Sequence, residues 1–395
     1  MWVRSSLLAL AALAALNAGG VAAQTPAAGD PPATGRAERS LLTLPAVEAR
    51  RAAKATLLDL ARAGKRYVAV GERGIVVHSD DGKAWTQAKV PVSVTLTGVS
   101  FPTPEQGWAV GHEGVVLQSA DGGRTWTRLA DGTVLLPQLI DWASERAEAA
   151  RKLADQAKPA DRAKADEALE AAENLLGDVE AGLKFGPSRP LLDVLFTSST
   201  RGFVVGAYGQ AFGTADGGKS WQLLAGKIGN AGASHYNAIV ATPGGKLFLV
   251  GEAGTAFRSD DGGETWTRLA TPYKGSLYGL IGVPTPKGEA VVLYGFKGRI
   301  LRSEDAGATW EEIASPAKAS LYGAALLDDG TVVLAGAGGT LLASKDAGRT
   351  FAPAGGAAAR GLNIGVVDAG GGQIVVTGAG GARAVELAPR SGAKP

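Results

Sequence analysis

The chain has 395 residues, of which 57 are glycine and none is cysteine, and its 40 lysine and arginine residues nearly balance 38 acidic ones. This balance gives no reason to expect nucleic acid or an anionic membrane surface as a partner, and the lack of cysteine excludes disulfides. The glycines are spread along the chain, which predicts frequent tight turns and therefore many short strands.

The first 23 residues have the pattern of a secretory signal peptide. Arg4 precedes an apolar run at 7–16, and small residues follow at 21–23. We therefore expect cleavage after Ala23 and an exported, periplasmic protein. The apolar run is too short to span a bilayer, and no later segment reaches 18 uninterrupted apolar residues, so we expect no direct membrane span. Residues 24–39 are predicted to form a flexible spacer.

Two short patterns recur along the rest of the chain. An eight-residue box, S/T-x-D-x-G-x-S/T-W/F, stands at 119–126, 214–221, 259–266, 303–310 and 344–351, with a shortened version at 79–85. A G-x-x-G begins at 71, 111, 206, 251, 295, 336 and 378, which marks seven units. A period of about 40–45 residues with four short strands per unit is typical of a β-propeller.

We therefore predict an all-β fold, a seven-bladed β-propeller that occupies residues 40–395. The G-x-x-G lies between the second and third strands of a unit, where positive φ angles are expected, and the box lies between the third and fourth. The seventh unit has no obvious fourth strand. The otherwise unassigned segment SLLTLPAV at 40–47 is predicted to supply that strand and close the ring.

One interval, between the second and third units, is longer than the others by about 50 residues, and we place an insertion at 137–188. Residues 136–157 and 160–183 are alanine-rich and meet at Lys158-Pro159, which predicts an antiparallel helical hairpin. Because the hairpin joins a last strand to a first strand, it should rise from the face that carries the G-x-x-G turns. It is predicted to act as a docking arm or a lid; the alternative is a structural cover over the propeller mouth.

The boxes could be metal loops, catalytic turns or structural corners. The aspartate of each can accept hydrogen bonds from turn amides, and the closing aromatic can bury apolar surface between blades. Most boxes carry only one or two carboxylates, too few for a calcium loop, and the three histidines lack metal-ligand spacing. We assign a structural role to Asp81, Asp121, Asp216, Asp261, Asp305 and Asp346, and to Trp85, Trp126, Trp221, Trp266 and Trp310. No catalytic residue, metal or cofactor is predicted.

The box resembles the Asp-box, or BNR repeat. With the seven G-x-x-G patterns, the chain from about 45 to 390 resembles the propeller family of photosystem II assembly and stability factors and their relatives in non-photosynthetic bacteria. The resemblance implies a non-catalytic scaffold that binds a membrane or envelope protein complex through an arginine-rich surface. Arg73 is the main arginine at the predicted turn tips, without a cluster around it. We expect a monomer that binds a protein partner.

Sialidases also contain the box, so the alternative is a glycan-binding or glycoside-hydrolysing propeller. By resemblance, sialidase chemistry uses three arginines around a carboxylate, a Tyr–Glu pair, an aspartic acid and an early F-R-I-P stretch, and the last is absent. Converging arginines with a Tyr–Glu pair at the channel mouth, or two carboxylates about 5–10 Å apart, would favour the enzyme. An open aromatic face without them would favour a binding protein.

The G-x-x-G turns should lie on the face opposite the boxes, and aromatic and charged residues there suit partner binding. The residues predicted for this face are Arg73, His112, Tyr208, His235, Tyr236, Tyr273, Tyr278, Phe296, Lys297 and Tyr322. Three of the tyrosines, at 236, 278 and 322, hold the same position in their units. Packing between inner strands is the alternative role for these three.

Overall fold

The computed structural model describes residues 40–184, 189–230, 232–356 and 359–387. The chain divides into two units, 1–40 and 41–395. Only Ser40 of the first unit is among the described residues, so the predicted signal peptide and spacer lie outside them. The second unit contains all the strands and helices given below.

Seven antiparallel sheets follow one another along the second unit, and each sheet is one blade. Blade 1 has β1 (Leu57–Ala63), β2 (Arg66–Gly71), β3 (Val76–Ser79) and β4 (Thr86–Gln87). Blade 2 has β5 (Leu96–Ser100), β6 (Gly107–Gly111), β7 (Val116–Ser119) and β8 (Thr127–Ala130). Blade 3 has β9 (Leu191–Phe196), β10 (Gly202–Gly206), β11 (Ala211–Thr214) and β12 (Gln222–Leu223). In all three the strands pair in sequence order, as in a meander.

The remaining blades repeat this order. Blade 4 has β13 (Tyr236–Ala241), β14 (Leu247–Gly251), β15 (Ala256–Ser259) and β16 (Thr267–Arg268). Blade 5 has β17 (Leu277–Thr285), β18 (Gly288–Gly295), β19 (Ile300–Ser303) and β20 (Glu311–Glu312). Blade 6 has β21 (Leu321–Leu326), β22 (Val332–Gly336), β23 (Leu341–Ser344) and β24 (Ala352–Pro353), and blade 7 has β25 (Val366–Gly370), β26 (Gln373–Val376) and β27 (Arg383–Glu386). The predicted all-β propeller is confirmed.

The second strand of each blade forms the middle of the core. Along β6, β10, β14 and β22 every residue is buried. These strands therefore read as continuous apolar runs such as FVVG, because neighbouring blades cover both of their faces. The fourth strands are short and largely exposed, as in β16 and β20.

The hydrophobic core is a ring of clusters, one at each junction between blades. Between blades 2 and 3, for example, the rings of Trp108 and Phe196 stack with their centroids 3.7 Å apart. Val375 and Ala382 of the last blade pack against Leu57 and Tyr67 of the first. Two main-chain hydrogen bonds accompany that contact, Leu57 N to Gly378 O at 3.1 Å and Ala382 N to Ala53 O at 3.0 Å.

The predicted closing strand at 40–47 is wrong. These residues form no strand, and blade 7 keeps three strands within the described part of the chain. The segment instead packs on the link between blades 1 and 2, where Leu42 is buried beside Val90 and Val92. Main-chain bonds join Ala46 N to Val90 O at 3.0 Å and Ser93 N to Leu41 O at 2.8 Å. Pro45 has no N–H and cannot continue a ladder, so the segment is held by isolated main-chain bonds and by apolar burial and not as a strand.

The insertion forms two helices, α1 (Gly132–Gln156) and α2 (Arg162–Lys184), and the predicted hairpin is confirmed. Asp131 caps α1 by accepting a hydrogen bond from Thr133 N at 2.9 Å. The amide of Gln138 binds the edge of blade 3, donating to Trp221 O at 3.0 Å and accepting from Leu223 N at 3.1 Å. A third, one-turn helix, α3 (Ala225–Ile228), lies in the link from blade 3 to blade 4.

Candidate functional site

The antiparallel order of each blade sorts the turns onto two faces. The G-x-x-G turns join second to third strands and lie at one end of the blades, and we call that end the tip face. The boxes join third to fourth strands at the other end, the box face. α1 contacts the tip of blade 2, and Gly132 is so close to Gly114 that a Cβ there would lie 2.8 Å from Gly132 N. The hairpin therefore rises from the tip face.

Each tip holds one side chain outward in an unusual backbone conformation. The third residue of the turn has a positive φ of 54–59° in blades 1 to 5, at Arg73, Glu113, Tyr208, Ala253 and Lys297. The first glycine of the turn has an extended backbone and is required for a different reason, the space available. A Cβ on Gly71 would lie 2.1 Å from Thr56 O, too close for any side chain. Non-glycine residues in this left-handed region cost about 1 kcal/mol or more, so the turn is held by its surroundings.

Two tips are tied to the inner strands by glutamates. Glu72 Oε1 accepts from Thr56 N and Glu252 Oε1 accepts from His235 N, both at 2.8 Å. Each carboxylate accepts the main-chain N–H of the residue just before the first strand of its blade, in place of a carbonyl from a neighbouring strand. They fix the tips and are occupied by structural hydrogen bonds.

Arg73 and His112 line a cavity of about 590 Å³ between the tips of blades 1 and 2. Its other walls are the link at Ser93–Thr95 and the segment at 41–49. Leu41 and Val47 remain 53% and 77% exposed at its rim. Burial lowers the pKa of His112, which makes its imidazole neutral at pH 7. The cavity thus combines apolar walls with Arg73, a neutral His112 and the carboxylate of Glu113.

Most of the predicted aromatic residues gather near the tips of blades 5 and 6. Tyr273 Oη donates to Phe296 O at 3.3 Å, and the Lys297 ammonium lies 5.3 Å from the Phe296 ring centroid. The rings of Tyr278 and Tyr322 are 5.0 Å apart. Burial, with the neighbouring Tyr322 and Tyr273 hydroxyls, raises the pKa of Tyr278 to about 12. In this group Tyr273, Tyr278 and Tyr322 are half-buried, whereas Phe296 and Lys297 are exposed.

Tyr208 and His235 form a separate pair between blades 3 and 4, with ring centroids 4.9 Å apart. Tyr236, predicted for the same face, is fully buried and packs against Phe257, so its place on the partner-binding surface is wrong. The link before blade 4 contains α3, and Ile228 of this helix lies in the same buried cluster as Tyr236. The links before Tyr278 and Tyr322, at 269–276 and 313–320, contain no helix, and both tyrosines are half-buried.

On the box face the aspartates are saturated by hydrogen bonds of the turn itself. Asp261 Oδ1 accepts from Ser259 Oγ and Thr265 N, and its Oδ2 accepts from Thr265 Oγ1 at 2.6 Å. The same arrangement recurs at Asp121, Asp216, Asp305 and Asp346, and a shorter version at Asp81. The hydrogen bonds from Thr309 and Ser303 lower the pKa of Asp305 to about 2.

Three of the closing tryptophans, Trp85, Trp126 and Trp266, also donate a hydrogen bond within their own turn. Trp126 and Trp221 are buried, while Trp85, Trp266 and Trp310 are half-buried. The indole N–H of Trp126 donates to Gly123 O at 3.1 Å, and that of Trp266 donates to Gly263 O at 3.2 Å. Each such box therefore folds on itself and anchors the fourth strand.

Two carboxylates that the sequence did not single out as a pair lie inside the propeller. Asp59 Oδ2 accepts from Val99 N and Asp193 Oδ2 accepts from Ile239 N, both at 2.8 Å. Each thereby joins the first strand of its own blade to that of the next. Burial raises the pKa of Asp59 to about 6, and burial together with the charge of Asp59 raises that of Asp193 to about 8. These carboxylates connect the inner strands of neighbouring blades, and both residues are half-buried.

A second cavity, of about 620 Å³, opens on the box face where the inner strands end. Arg62 is its one arginine and donates to Gly64 O and Asp368 O. Asp368 accepts from Asp328 N and Gly370 N. Converging arginines with a Tyr–Glu pair, the arrangement expected for a sialidase, do not line this cavity. Within the described ranges no group of three or more His, Asp or Glu side chains is placed to hold a metal ion.

The fold and turns define a seven-bladed propeller built from box-type repeats. The family described as "Photosynthesis system II assembly factor YCF48" matches residues 77–134 and 182–333, more than half of the chain. The protein belongs to this family. This membership confirms the resemblance to photosystem II assembly factors that the repeats indicated.

Relatives of the chain agree with this assignment. A photosystem II assembly lipoprotein Ycf48 of Picosynechococcus sp. is 41% identical over 63 residues, which are 14% of this chain and 18% of the relative. The curated relatives are thus matched over 11–18% of their own length. None of the helices in the described ranges is long and apolar enough to cross a membrane.

Solved structures show the same fold at low sequence identity. A structure titled "YCF48 bound to D1 peptide" has a TM-score of 0.57 and 19% identity, covering 85% of this chain and 94% of that one. A GH74 enzyme from Niastella koreensis has a TM-score of 0.55 and 12% identity, covering 85% of this chain and 53% of that one. Both similarities concern the fold alone.

Proposed function

We propose that this protein is an exported, non-catalytic propeller that binds a protein partner through its tip face and assists the assembly of a membrane or envelope complex. Residues 1–23 direct its export to the periplasm in this proposal, and it acts as a monomer. The hairpin, which rises from the same face, is part of the binding surface. The YCF48 family membership supports an assembly role, and the relative titled as bound to a D1 peptide supports a protein as the partner.

One observation carries the choice of the tip face. The large apolar and aromatic side chains that are exposed in the described part of the chain are Leu41, Val47, Val134, Leu153, Tyr208 and Phe296. All six belong to the tip face or to α1. Exposed apolar groups concentrated on one side of a soluble protein mark an interaction surface, and aromatic anchors contribute most of the binding energy there.

Loss of two aromatic tips tests this function. The double variant Tyr208→Ser and Phe296→Ser is expected to capture its partner at least about tenfold less well, because truncating an anchor costs about 1–2 kcal/mol. The measurement is quantitative recovery of proteins from a detergent-solubilised envelope fraction on the immobilised protein. Ala215→Ser with Ala308→Ser, two exposed and uncharged changes on the box face, is the matched control and is expected to capture normally.

Equal loss in both double variants would contradict the tip face as the binding surface. Retention of soluble glycans without any protein would contradict the assembly role and favour the glycan-binding alternative. Circular dichroism and the melting temperature of each variant establish that the blades remain folded, since both sets of changes lie on exposed turns.

A further inference from the structure

Arg189 lies at the base of the hairpin, where the chain returns from α2 to blade 3. Its side chain is only 4% exposed. It runs along the last turns of α2 so closely that a Cβ on Gly182 would lie 3.2 Å from the Arg189 Nε. The guanidinium is therefore enclosed between the hairpin and the tip of blade 3.

The Arg189 guanidinium has no direct ion-pair partner among the described residues, and its Nη1 has no hydrogen-bond partner within the described ranges. Arg302, the other arginine buried to this degree, pairs with Glu304 at 2.8 Å and donates Nε to Ala347 O, although its Nη2 is also unpartnered. A buried cation without a counter-ion is costly, and buried charges are ordinarily paired.

Two ionisable groups act on Arg189, the Tyr208 hydroxyl and the Asp178 carboxylate, and the carboxylate attracts the guanidinium without forming an ion pair with it. Neither of them adds a second positive charge. Burial is the main effect and lowers the pKa of Arg189. A single positive charge matches a monoanion. A dianionic phosphate would leave surplus negative charge in an enclosed place, so the structure favours a carboxylate.

Tyr208 covers the guanidinium, with its ring centroid 4.4 Å from Arg189 Cζ. It stands alone at a tip with φ of 58° and is 45% exposed. Its hydroxyl has no hydrogen-bond partner among the described residues, and the edge-on contact with His235 is its other ring contact. A side chain held by stacking alone can change rotamer rapidly, so Tyr208 can move aside without breaking a hydrogen bond.

We propose that Arg189, Tyr208 and His235 form a carboxylate-binding site on the tip face. The carboxylate pairs with the Arg189 guanidinium once Tyr208 rotates, and the rings of Tyr208 and His235 receive the apolar group beside it. The natural occupant is a carboxylate-bearing segment of the protein partner, an assignment that rests on the proposed function. The site itself does not depend on knowing that partner.

Small carboxylates test the site directly on the whole protein. N-acetyl-L-phenylalanine represents a chain terminus, N-acetyl-L-glutamate α-amide represents an acidic side chain, and N-acetyl-L-phenylalanine amide is the uncharged control. Binding is followed by titration calorimetry and by the NMR resonances of Tyr208 and His235. At least one acid is expected to bind at least tenfold more tightly than the neutral amide, with shifts centred on these two rings, and the stronger acid identifies the source of the carboxylate.

Arg189→Met keeps the packing volume but removes the charge, and it is expected to abolish the preference for the acid. Arg146→Met is the matched control, since Arg146 also stacks on an aromatic ring of the hairpin, Trp142, and it should keep the preference. Equal binding of both acids and the amide to the native protein, no binding of either acid at 10 mM, or a preference that survives Arg189→Met would overturn the proposal. The acid–amide comparison stands even if Arg189→Met does not fold.

Failure of this site and failure of the proposed function give different results. Acid binding in a protein that captures no partner would leave the site intact and remove the assembly role. Partner capture through the tip face with no preference for an acid would remove the carboxylate site and leave the assembly role intact.

Discussion

Replacing Trp108 with alanine is expected to lower the free energy of unfolding by about 3–5 kcal/mol, the range for removing a large buried aromatic side chain. Trp108 has no exposed surface and stacks on Phe196 of the next blade with an interplanar angle of 6°. Its indole N–H also donates to Gly217 O at 3.0 Å. The variant loses the stack on Phe196 between blades 2 and 3 and leaves Gly217 O without that donor.

Urea unfolding followed by tryptophan fluorescence or circular dichroism measures this loss. Trp85→Ala is the matched control, because Trp85 is half-buried and stands 6.4 Å from Tyr67 at a tilt. Trp85→Ala is expected to lower the free energy of unfolding by at least about 1 kcal/mol less than Trp108→Ala, because it removes less buried apolar area. Equal costs at the two positions would show that the junction between blades 2 and 3 does not depend on this stack.

Stability is expected to fall as the pH rises from about 4 to about 8. Asp59 and Asp193 have raised pKa values, about 6 and about 8, against 3.8 for the unfolded chain. In this window the unfolded chain has released protons that the folded protein still holds, so raising the pH favours unfolding. At 1.36 kcal/mol per pKa unit, the difference for Asp59 alone is worth about 3 kcal/mol, and Asp193 acts in the same direction.

The box aspartates act in the opposite sense at lower pH. Hydrogen bonds hold the pKa of Asp305 at about 2, so its contribution is present above the unfolded value of 3.8 and is lost as the pH falls toward 2. Hydrogen bonds from Thr350, Ser344 and Arg349 outweigh burial at Asp346 and also place its pKa at about 2. Together the two sets predict a stability maximum at about pH 4–5.

Urea midpoints between pH 3 and 8.5 test this dependence. Asp193→Asn, which cannot ionise, is expected to flatten the curve between pH 6 and 8.5, whatever its effect on absolute stability. Asp328→Asn changes an exposed carboxylate and should leave the curve unchanged. A native protein whose stability is constant or rises from pH 5 to 8 would contradict the assignment of these two carboxylates.

The repeat pattern was sufficient to predict the propeller and its two faces. Box and G-x-x-G positions alternate along the chain, and strand pairing in sequence order then requires that they occupy opposite ends of each blade. The hairpin followed from its alanine-rich composition and its place between a last and a first strand. These inferences depend on local sequence and on connectivity alone.

The two wrong predictions concern which surfaces pack together, a property of tertiary structure. The segment at 40–47 has the apolar pattern of a strand, but such a pattern does not specify which surface the segment covers. In the structure Leu42 packs on the link between blades 1 and 2. Tyr236 occupies the same repeat position as Tyr278, but the longer link before it forms α3 and buries it. Repeat position therefore predicted backbone placement but not exposure.

Two features that distinguish the tip face of this protein could not be predicted from sequence patterns. Arg189 lies between the hairpin and an apolar strand, and no motif signals that it is buried without a direct ion pair to any carboxylate in the described ranges. Leu41 and Val47 reach the cavity at the tips of blades 1 and 2 only because the N-terminal segment lies beside those tips. Such properties arise from tertiary packing, and single-sequence patterns do not report them.

Site-specific photocrosslinking tests the tip face as the binding surface most directly. A benzophenone amino acid placed at Phe296 or Val47, both exposed on the tip face, is compared with one at Ala308 on the box face. Irradiation of intact envelopes is expected to give the same crosslinked membrane or envelope protein from the two tip positions and none from Ala308. Crosslinks of equal or greater yield from Ala308, or no protein crosslink from either tip position, would contradict a partner-binding tip face.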